Sequence, residues 1–184
     1  MRNPILLGER VYLRALEPSD AEPLARMDAV EEDTFMFRQR FPSSPLEHLS
    51  RIQEDYKARP PRGIAFAVCL REDDTLLGLV GVEPIDWVNR NGETFSWLGP
   101  AGIRGHGYGT EAKHLLLEYC FDRIGLHVIG SDVAETNTRS AAALQKQGYR
   151  RAGARKWEDV KGGRYIDQLL FDLTREDWVK ARDA

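Results

Sequence analysis

Arg104-Gly105-His106-Gly107-Tyr108-Gly109-Thr110 runs directly into Glu111-Ala112-Lys113-His114-Leu115-Leu116-Leu117. Three alternating glycines are followed by an apolar helical pattern. Without Cβ atoms the backbone can take positive φ and come close to a ligand. The first N–H groups of the new helix lack intrahelical partners and sit at the positive end of its dipole. That combination is a ready anion site, best suited to a phosphate or pyrophosphate.

Glycines alone leave several readings open. A P-loop needs Gly-x-x-x-x-Gly-Lys followed by Ser or Thr, and the lysine is missing. A dinucleotide fingerprint has Gly-x-Gly-x-x-Gly spacing in the chain's first βα unit. Here the spacing is Gly105-x-Gly107-x-Gly109, mid-chain, after strands that look antiparallel. A plain surface turn into a helix also fits.

Outward from this stretch, the chain alternates strand and helix signals. Arg10–Leu16 alternates polar and apolar and predicts a first strand, with Met1–Gly8 as a lead-in. Ser19 and Glu22 form a capping-box pattern that predicts a helix through Met27. Ser44, Pro45 and Glu47 repeat such start signals, predicting a second helix to about Ala58, before Pro60-Pro61. Further strands are predicted over Gly63–Leu70, Leu76–Glu83 and Glu93–Leu98. A third helix then runs to about Ile124, with Gly125 as its C-cap. A fifth strand follows at Val128–Val133, then a helix at Asn137–Gln147 with Gly148 as C-cap. Tyr149–Trp157 and Tyr165–Leu173 are the last strands, and a last helical turn is expected after Thr174. There is no repeat, linker or low-complexity stretch, so residues 1–184 read as a single α+β domain.

Composition narrows the class. The chain has 184 residues, 42% hydrophobic and 30% charged, with a formal charge of −3. These values suit one soluble domain and argue against a general nucleic-acid binder. No long apolar run marks a leader or spanning helix, so no membrane partner is expected. Cys69 and Cys120 lie in apolar surroundings and read as buried reduced thiols, which suits the cytoplasm. No His/Cys/Asp cluster has metal-ligand spacing, and no metal is expected.

Arg104-x-x-Gly107-x-Gly109 resembles the Arg/Gln-x-x-Gly-x-Gly/Ala loop of the Gcn5-related N-acetyltransferases (GNAT). The longer string Arg-Gly-His-Gly-Tyr-Gly-Thr-Glu-Ala is similar to the branch named after RimJ and RimL. The likeness extends to Leu7-Gly8-Glu9-Arg10-Val11-Tyr12-Leu13-Arg14, to Asn137-x-x-Ser140 and to Lys146-Gln147-Gly148-Tyr149. It continues in Asp167-x-x-Leu170-Phe171 and Thr174–Trp178. The resemblance implies a mixed, mostly antiparallel twisted sheet of about seven strands flanked by about four helices. It also implies that the fourth and fifth predicted strands splay apart.

The implied reaction is direct transfer of acetyl from acetyl-CoA to a primary amine, either a protein N-terminus or a small molecule. The CoA pyrophosphate would lie on Arg104, Gly105, His106, Gly107, Tyr108, Gly109 and Thr110. Its pantetheine arm would run along Trp97 and Leu98 and past Asn137, Ser140 and Lys146. About one residue more than the usual family spacing separates Leu98 from Arg104. Many members place a tyrosine acid two residues before the helix lysine, where this chain has Leu144. Ser140 could instead bond the leaving sulfur, or simply pack in the first turn of its helix. Glu93 and Glu83 are the candidate bases, acting through water, although each could be a solvated strand-end charge. Glu111 reads as dipole stabilisation and His106 as a phosphate-edge or solvent residue. Glu31–Phe41 and Ile85–Gly92 would border the acceptor. A CoA-binding module without turnover and a transferase of another acyl group are the alternatives, and monomer and homodimer both remain open.

Overall fold

The computed structural model describes residues 1–30, 44–99, 101–103 and 105–182. Among these there are eight strands and five α-helices, in the order β1 (Pro4–Leu7), β2 (Val11–Ala15), α1 (Ala21–Ala29), α2 (Pro45–Asp55), β3 (Ile64–Leu70), β4 (Leu76–Asp86), β5 (Asn91–Leu98), α3 (Tyr108–Glu118), β6 (Val128–Ala134), α4 (Thr138–Lys146), β7 (Arg150–Lys161), β8 (Arg164–Thr174) and α5 (Arg175–Arg182). The hydrogen-bonded strand order is β1-β2-β3-β4-β5-β6-β8-β7. This is the expected mixed α+β architecture, with one strand and one helix more than the sequence suggests. Two compact units emerge, Met1–Glu83 with Phe95–Leu116, and Pro84–Thr94 with Leu117–Ala184.

In the first unit β1, β2, β3 and β4 pair antiparallel in sequence order. Tyr12, Leu16, Ala67, Cys69, Leu79 and Trp97 meet Ala21 and Leu24 of α1 and Ile52 of α2 in one core. The period-2 pattern of the strands and the helical spacing of the apolar residues both point into it. In the second unit β6 pairs antiparallel with β8, and β8 with β7. Phe121 stacks on Trp178 of α5, ring centroids 5.3 Å apart. Cys69 and Cys120 are fully buried free thiols, as their neighbours suggested.

Three local readings change. Residues before Gly8 are not a lead-in, because Pro4–Leu7 forms β1 against β2. Four residues are too few to show a period, and their partner strand decides their state. The first helix does not open on Ser19 and Glu22. A 3₁₀ turn at Pro18–Asp20 precedes it, and the Asp20 carboxylate accepts from the Glu17 amide at 2.8 Å. Ser19 instead accepts from Arg2 at 3.0 Å. The third helix gives way at Tyr119–Arg123 to a wider π-turn, in which the Ile124 amide donates to the Tyr119 carbonyl at 3.1 Å. The second helix opens as read, with Ser44 Oγ accepting from the Glu47 amide at 3.4 Å.

Asp20 wins over Ser19 because it answers a buried cation. Arg14 on β2 donates twice to its carboxylate, at 2.7 Å each, and both side chains are 5% exposed. Hydrogen bonding to Asp20 raises the guanidinium's pKa above its ordinary value, against the opposing effect of burial. Removing one partner of such a pair strands the other charge. Asp20→Ala is therefore expected to cost about 3–5 kcal/mol of unfolding free energy, measured by urea denaturation.

Candidate functional site

The glycine turn belongs to the first unit. Gly105 and Gly107 have φ of +84° and +80°, a left-handed conformation that a side chain strains. The turn leads into α3, whose Glu111 amide donates to the Gly107 carbonyl at 3.1 Å. At Gly109, a Cβ would lie 2.9 Å from Leu98 Cδ1, so the helix start presses on the end of β5. The structure thus brings Leu98 to the turn. Trp97, its neighbour, points the other way into the core and is 6% exposed. His106, exposed, stacks on the Tyr108 ring at 5.7 Å. Arg104 lies outside the described residues.

What holds the turn in place did not stand out in the sequence. The Glu111 carboxylate accepts from the backbone amides of Arg10 and Val11, at 2.8 and 3.1 Å, and from Arg10 Nε at 3.0 Å. Burial works against the ion, but these donors and the guanidinium charge bring its pKa below the ordinary glutamate value. Arg10 Nη1 also donates to the His106 carbonyl at 2.7 Å, and its guanidinium lies 5.2 Å from the Tyr108 ring centre. A Cβ on Gly107 would meet Arg10 Nη2 at 3.1 Å. At Gly8 a Cβ would collide with the Glu111 carboxylate. The only sequence hint was Gly8 and Arg10 in the opening Leu7–Arg14 string, whose partner lies about a hundred positions away.

In the second unit β5 pairs parallel to β6 at Asn91, Gly92 and Glu93, against Val128, Ile129 and Gly130. The next contacts are made by side chains. Thr94 Oγ1 donates to the Gly130 carbonyl at 3.2 Å and meets Tyr149 Oη at 2.8 Å, and Ser131 Oγ donates to the Thr94 carbonyl at 3.0 Å. Burial pushes the Tyr149 hydroxyl well above the usual tyrosine range. Tyr149 is therefore a structural hydroxyl and no substitute for the tyrosine missing at Leu144, which is itself buried.

The two candidate bases sit in different surroundings. Glu83, half-buried on β4 in the first unit, is paired with Arg51 at 3.1 Å and lies 3.9 Å from Arg62. Glu93, in the second unit, is half-buried at the last backbone pair of the β5–β6 ladder. Burial raises its pKa, the Asp132 carboxylate adds to that, and Arg155 opposes it. Raising a carboxyl in this way makes it a stronger proton acceptor than an ordinary one.

Asn137 caps α4, its Oδ1 accepting from the Ser140 amide at 3.2 Å. Ser140 is half-buried in the first turn and Lys146 is exposed in the last. The Glu31–Phe41 segment lies outside the described residues. In the first unit, a cavity of about 150 Å³ opens under α2. Its apolar wall includes Leu24, Ile52, Leu79 and Phe95, and its polar edge is His48, Arg51 and Asp55. Phe95 faces this cavity while Leu98, three residues on, touches Gly109.

A helix-opening glycine turn, a raised carboxyl and an Asn-capped helix with Ser in its first turn are now in view. The sequence model of the acetyltransferase (GNAT) domain matches residues 10–150. The chain belongs to the GNAT family. Over 94% of its length and 95% of the relative's, it is 25% identical to a Bacillus subtilis (strain 168) protein named "Putative ribosomal N-acetyltransferase YdaF". Mycobacterium smegmatis RimJ, solved in complex with CoA-disulfide, matches at 25% identity and a TM-score of 0.77, over 91% of this chain and 83% of that one. These likenesses are those of the RimJ/RimL-like branch. A chimera of Vibrio cholerae spermidine N-acetyltransferase SpeG and hSSAT shares the fold, at a TM-score of 0.80 and 22% identity over 93% and 99% of the two chains. The GNAT chain is thus an acetyl-CoA-dependent acyltransferase.

If Arg10 sets the donor turn, Arg10→Ala should raise KM for acetyl-CoA several-fold and leave kcat nearly unchanged. Its KM for S-acetylpantetheine, which lacks the pyrophosphate, should not move. Steady-state kinetics with both donors checks this.

Proposed function

We propose that this acetyltransferase moves the acetyl group of acetyl-CoA directly onto a primary amine within a ternary complex, as a single acetyltransferase domain. The observation that carries the reading is the left-handed glycine turn opening α3, anchored by Glu111 and Arg10. Its backbone donors and helix dipole suit the donor pyrophosphate. Gly105 to Thr110 would hold that group, Arg104 adding a cation. Leu98, Trp97, Asn137 and Lys146 would follow the pantetheine arm, Trp97 through its backbone alone.

The chemistry sets the remaining roles. An alkyl amine with pKa near 10.4 is mostly protonated at neutral pH and cannot attack until it loses a proton. Glu93 takes that proton through a water. Its raised pKa favours it over Glu83, whose carboxylate is engaged by Arg51. As the C–N bond forms, the nitrogen gives its second proton to water, the C–S bond breaks and the electron pair leaves on sulfur. Ser140 Oγ donates a hydrogen bond to that sulfur, and solvent supplies its proton. A thiol near pKa 8.5 needs little help to leave. The acceptor sits on the cavity side of β5, away from the turn. Ribosomal and spermidine acceptors both appear in the names of similar proteins, and a primary amine is common to them.

A thiol-release assay with acetyl-CoA across N-terminal peptides, polyamines and aminoglycosides tests the reaction, and no release from any amine would overturn it. The pH profile tests the base. A base works only when deprotonated, so kcat/KM should fall as pH drops through a pKa above the ordinary glutamate value. Glu93→Gln should lose most of that acidic limb and about 10²-fold or more in kcat. Ser140→Ala should lower kcat by at most about 10²-fold, with CoA affinity by calorimetry unchanged.

A further inference from the structure

In the first unit, the cavity under α2 owes its room to two small residues. Ala65 of β3 and Gly81 of β4 are paired across the sheet, and paired residues share a face. There the sheet carries a single methyl group where larger side chains would fill the space. The Phe95 ring takes part of that room, and a Cβ on Gly81 would collide with it. What is left is walled by Leu24, Ile52, Ala65, Leu79 and Phe95. Packed interiors hold few voids larger than a water molecule. An apolar cavity of about 150 Å³ is large enough for a benzene ring.

The polar edge sets the charge that fits. His48 is answered by Asp28 at 2.8 Å, and Arg51 by Glu83 at 3.1 Å. Asp55 enters no ion pair among the described residues, and Arg51 acts on it only at longer range. One carboxylate is thus left for one cation, and the walls behind it are apolar. A second or third ammonium on the same ligand would meet those walls without a counter-charge, which is costly. The cavity also adjoins the strand assigned to the donor. Phe95 lies two residues from Trp97 and packs against the same core, so the two share a face of β5.

We propose that this cavity receives the body of the acceptor, and that the amine acetylated carries a single charge and one compact apolar group of about benzene size. This rests on the placement of the acceptor on the cavity side of β5. Asp55 draws the ammonium to the edge, the apolar group enters between α2 and the sheet, and Ala65 sets the depth. An arylalkylamine has this chemistry, and so has a peptide whose first residue is aromatic. Polyamines and aminoglycosides, which spread several ammonium groups along the molecule, do not.

Thiol release from acetyl-CoA tests it with 2-phenylethylamine, ethylamine, spermidine, and tripeptides beginning with phenylalanine or glycine. In the wild type, kcat/KM for 2-phenylethylamine should exceed that for ethylamine and for spermidine by about tenfold or more. Ala65→Leu, which fills the cavity, should remove that advantage and leave ethylamine turnover and CoA affinity in place, with circular dichroism as the folding control. Asp55 is exposed, so Asp55→Asn carries the test if the core variant does not fold. It should raise KM for 2-phenylethylamine several-fold and leave kcat nearly unchanged. A phenylalanine-first peptide faster than the free amine makes a peptide N-terminus the source, and the reverse makes it a small molecule; either supports the pocket. Ethylamine or spermidine as good as 2-phenylethylamine overturns the proposal, as does a folded Ala65→Leu that keeps the preference. If no amine releases thiol, the reaction reading fails and calorimetry on the CoA-loaded protein decides the pocket. Binding of 2-phenylethylamine that Ala65→Leu abolishes supports it, and no binding to the wild type overturns it.

Discussion

One carboxylate holds the glycine turn and the start of β2 together. Glu111 sits in the first turn of α3, where a negative charge already complements the helix dipole. Its oxygens also reach the backbone amides that open β2, at Arg10 and Val11, and the Arg10 guanidinium. Hydrogen bonds to an ionised acceptor are stronger than neutral ones. The result is a helix start that is fixed in position as well as in direction. Gly8 leaves room for the carboxylate, and Arg10 reaches on to the carbonyl of His106 inside the turn. A loop rich in glycine would otherwise lose much entropy on ordering. Here that ordering is done at folding, before any ligand arrives, which is how a binding loop becomes preorganised.

A second carboxylate does comparable work in the same unit. Asp20 neutralises Arg14 inside the core and accepts from the Glu17 amide. The two arginines of the Leu7–Arg14 string therefore have separate tasks, Arg10 at the turn and Arg14 beneath α1. In the second unit, side-chain hydroxyls follow the backbone pairs of β5 and β6, which end at Glu93 and Gly130. Thr94, Ser131 and Tyr149 satisfy one another and the Gly130 carbonyl there. Glu93, one residue before that change, loses solvent, which Arg155 only partly offsets, whereas Glu83 is ion-paired with Arg51.

Much of the fold was legible because its signals are short-range. The near-continuous apolar run over Gly63–Leu70, the cap at Ser44, and the glycines after α3 and α4 each need only a few neighbouring residues to be read. Gly125 and Gly148 have φ of +71° and +94°, as helix ends require. The β1 strand was missed because four residues carry no period. Ser19 was preferred to Asp20 because Glu22 follows it at capping-box spacing, and the buried Arg14 that overrides this preference sits on another element. Among the candidate site residues, the turn from Gly105 to Thr110 could be named from its glycines, and Asn137 and Ser140 through the family resemblance. Their supports could not.

By itself, the sequence determined the family, through the resemblance of its motifs, and the order of nearly all the elements and the turn where an anion could bind, because periodicity, capping and glycine spacing are local. Only the tertiary structure decided that Arg10 and Glu111 meet across 101 positions, that Tyr149 is a buried hydroxyl, and that burial raises the Glu93 carboxyl while Glu83 is ion-paired with Arg51. Those facts depend on which chain segments exclude water from each other, and desolvation is a property of the packed molecule, not of any stretch of it.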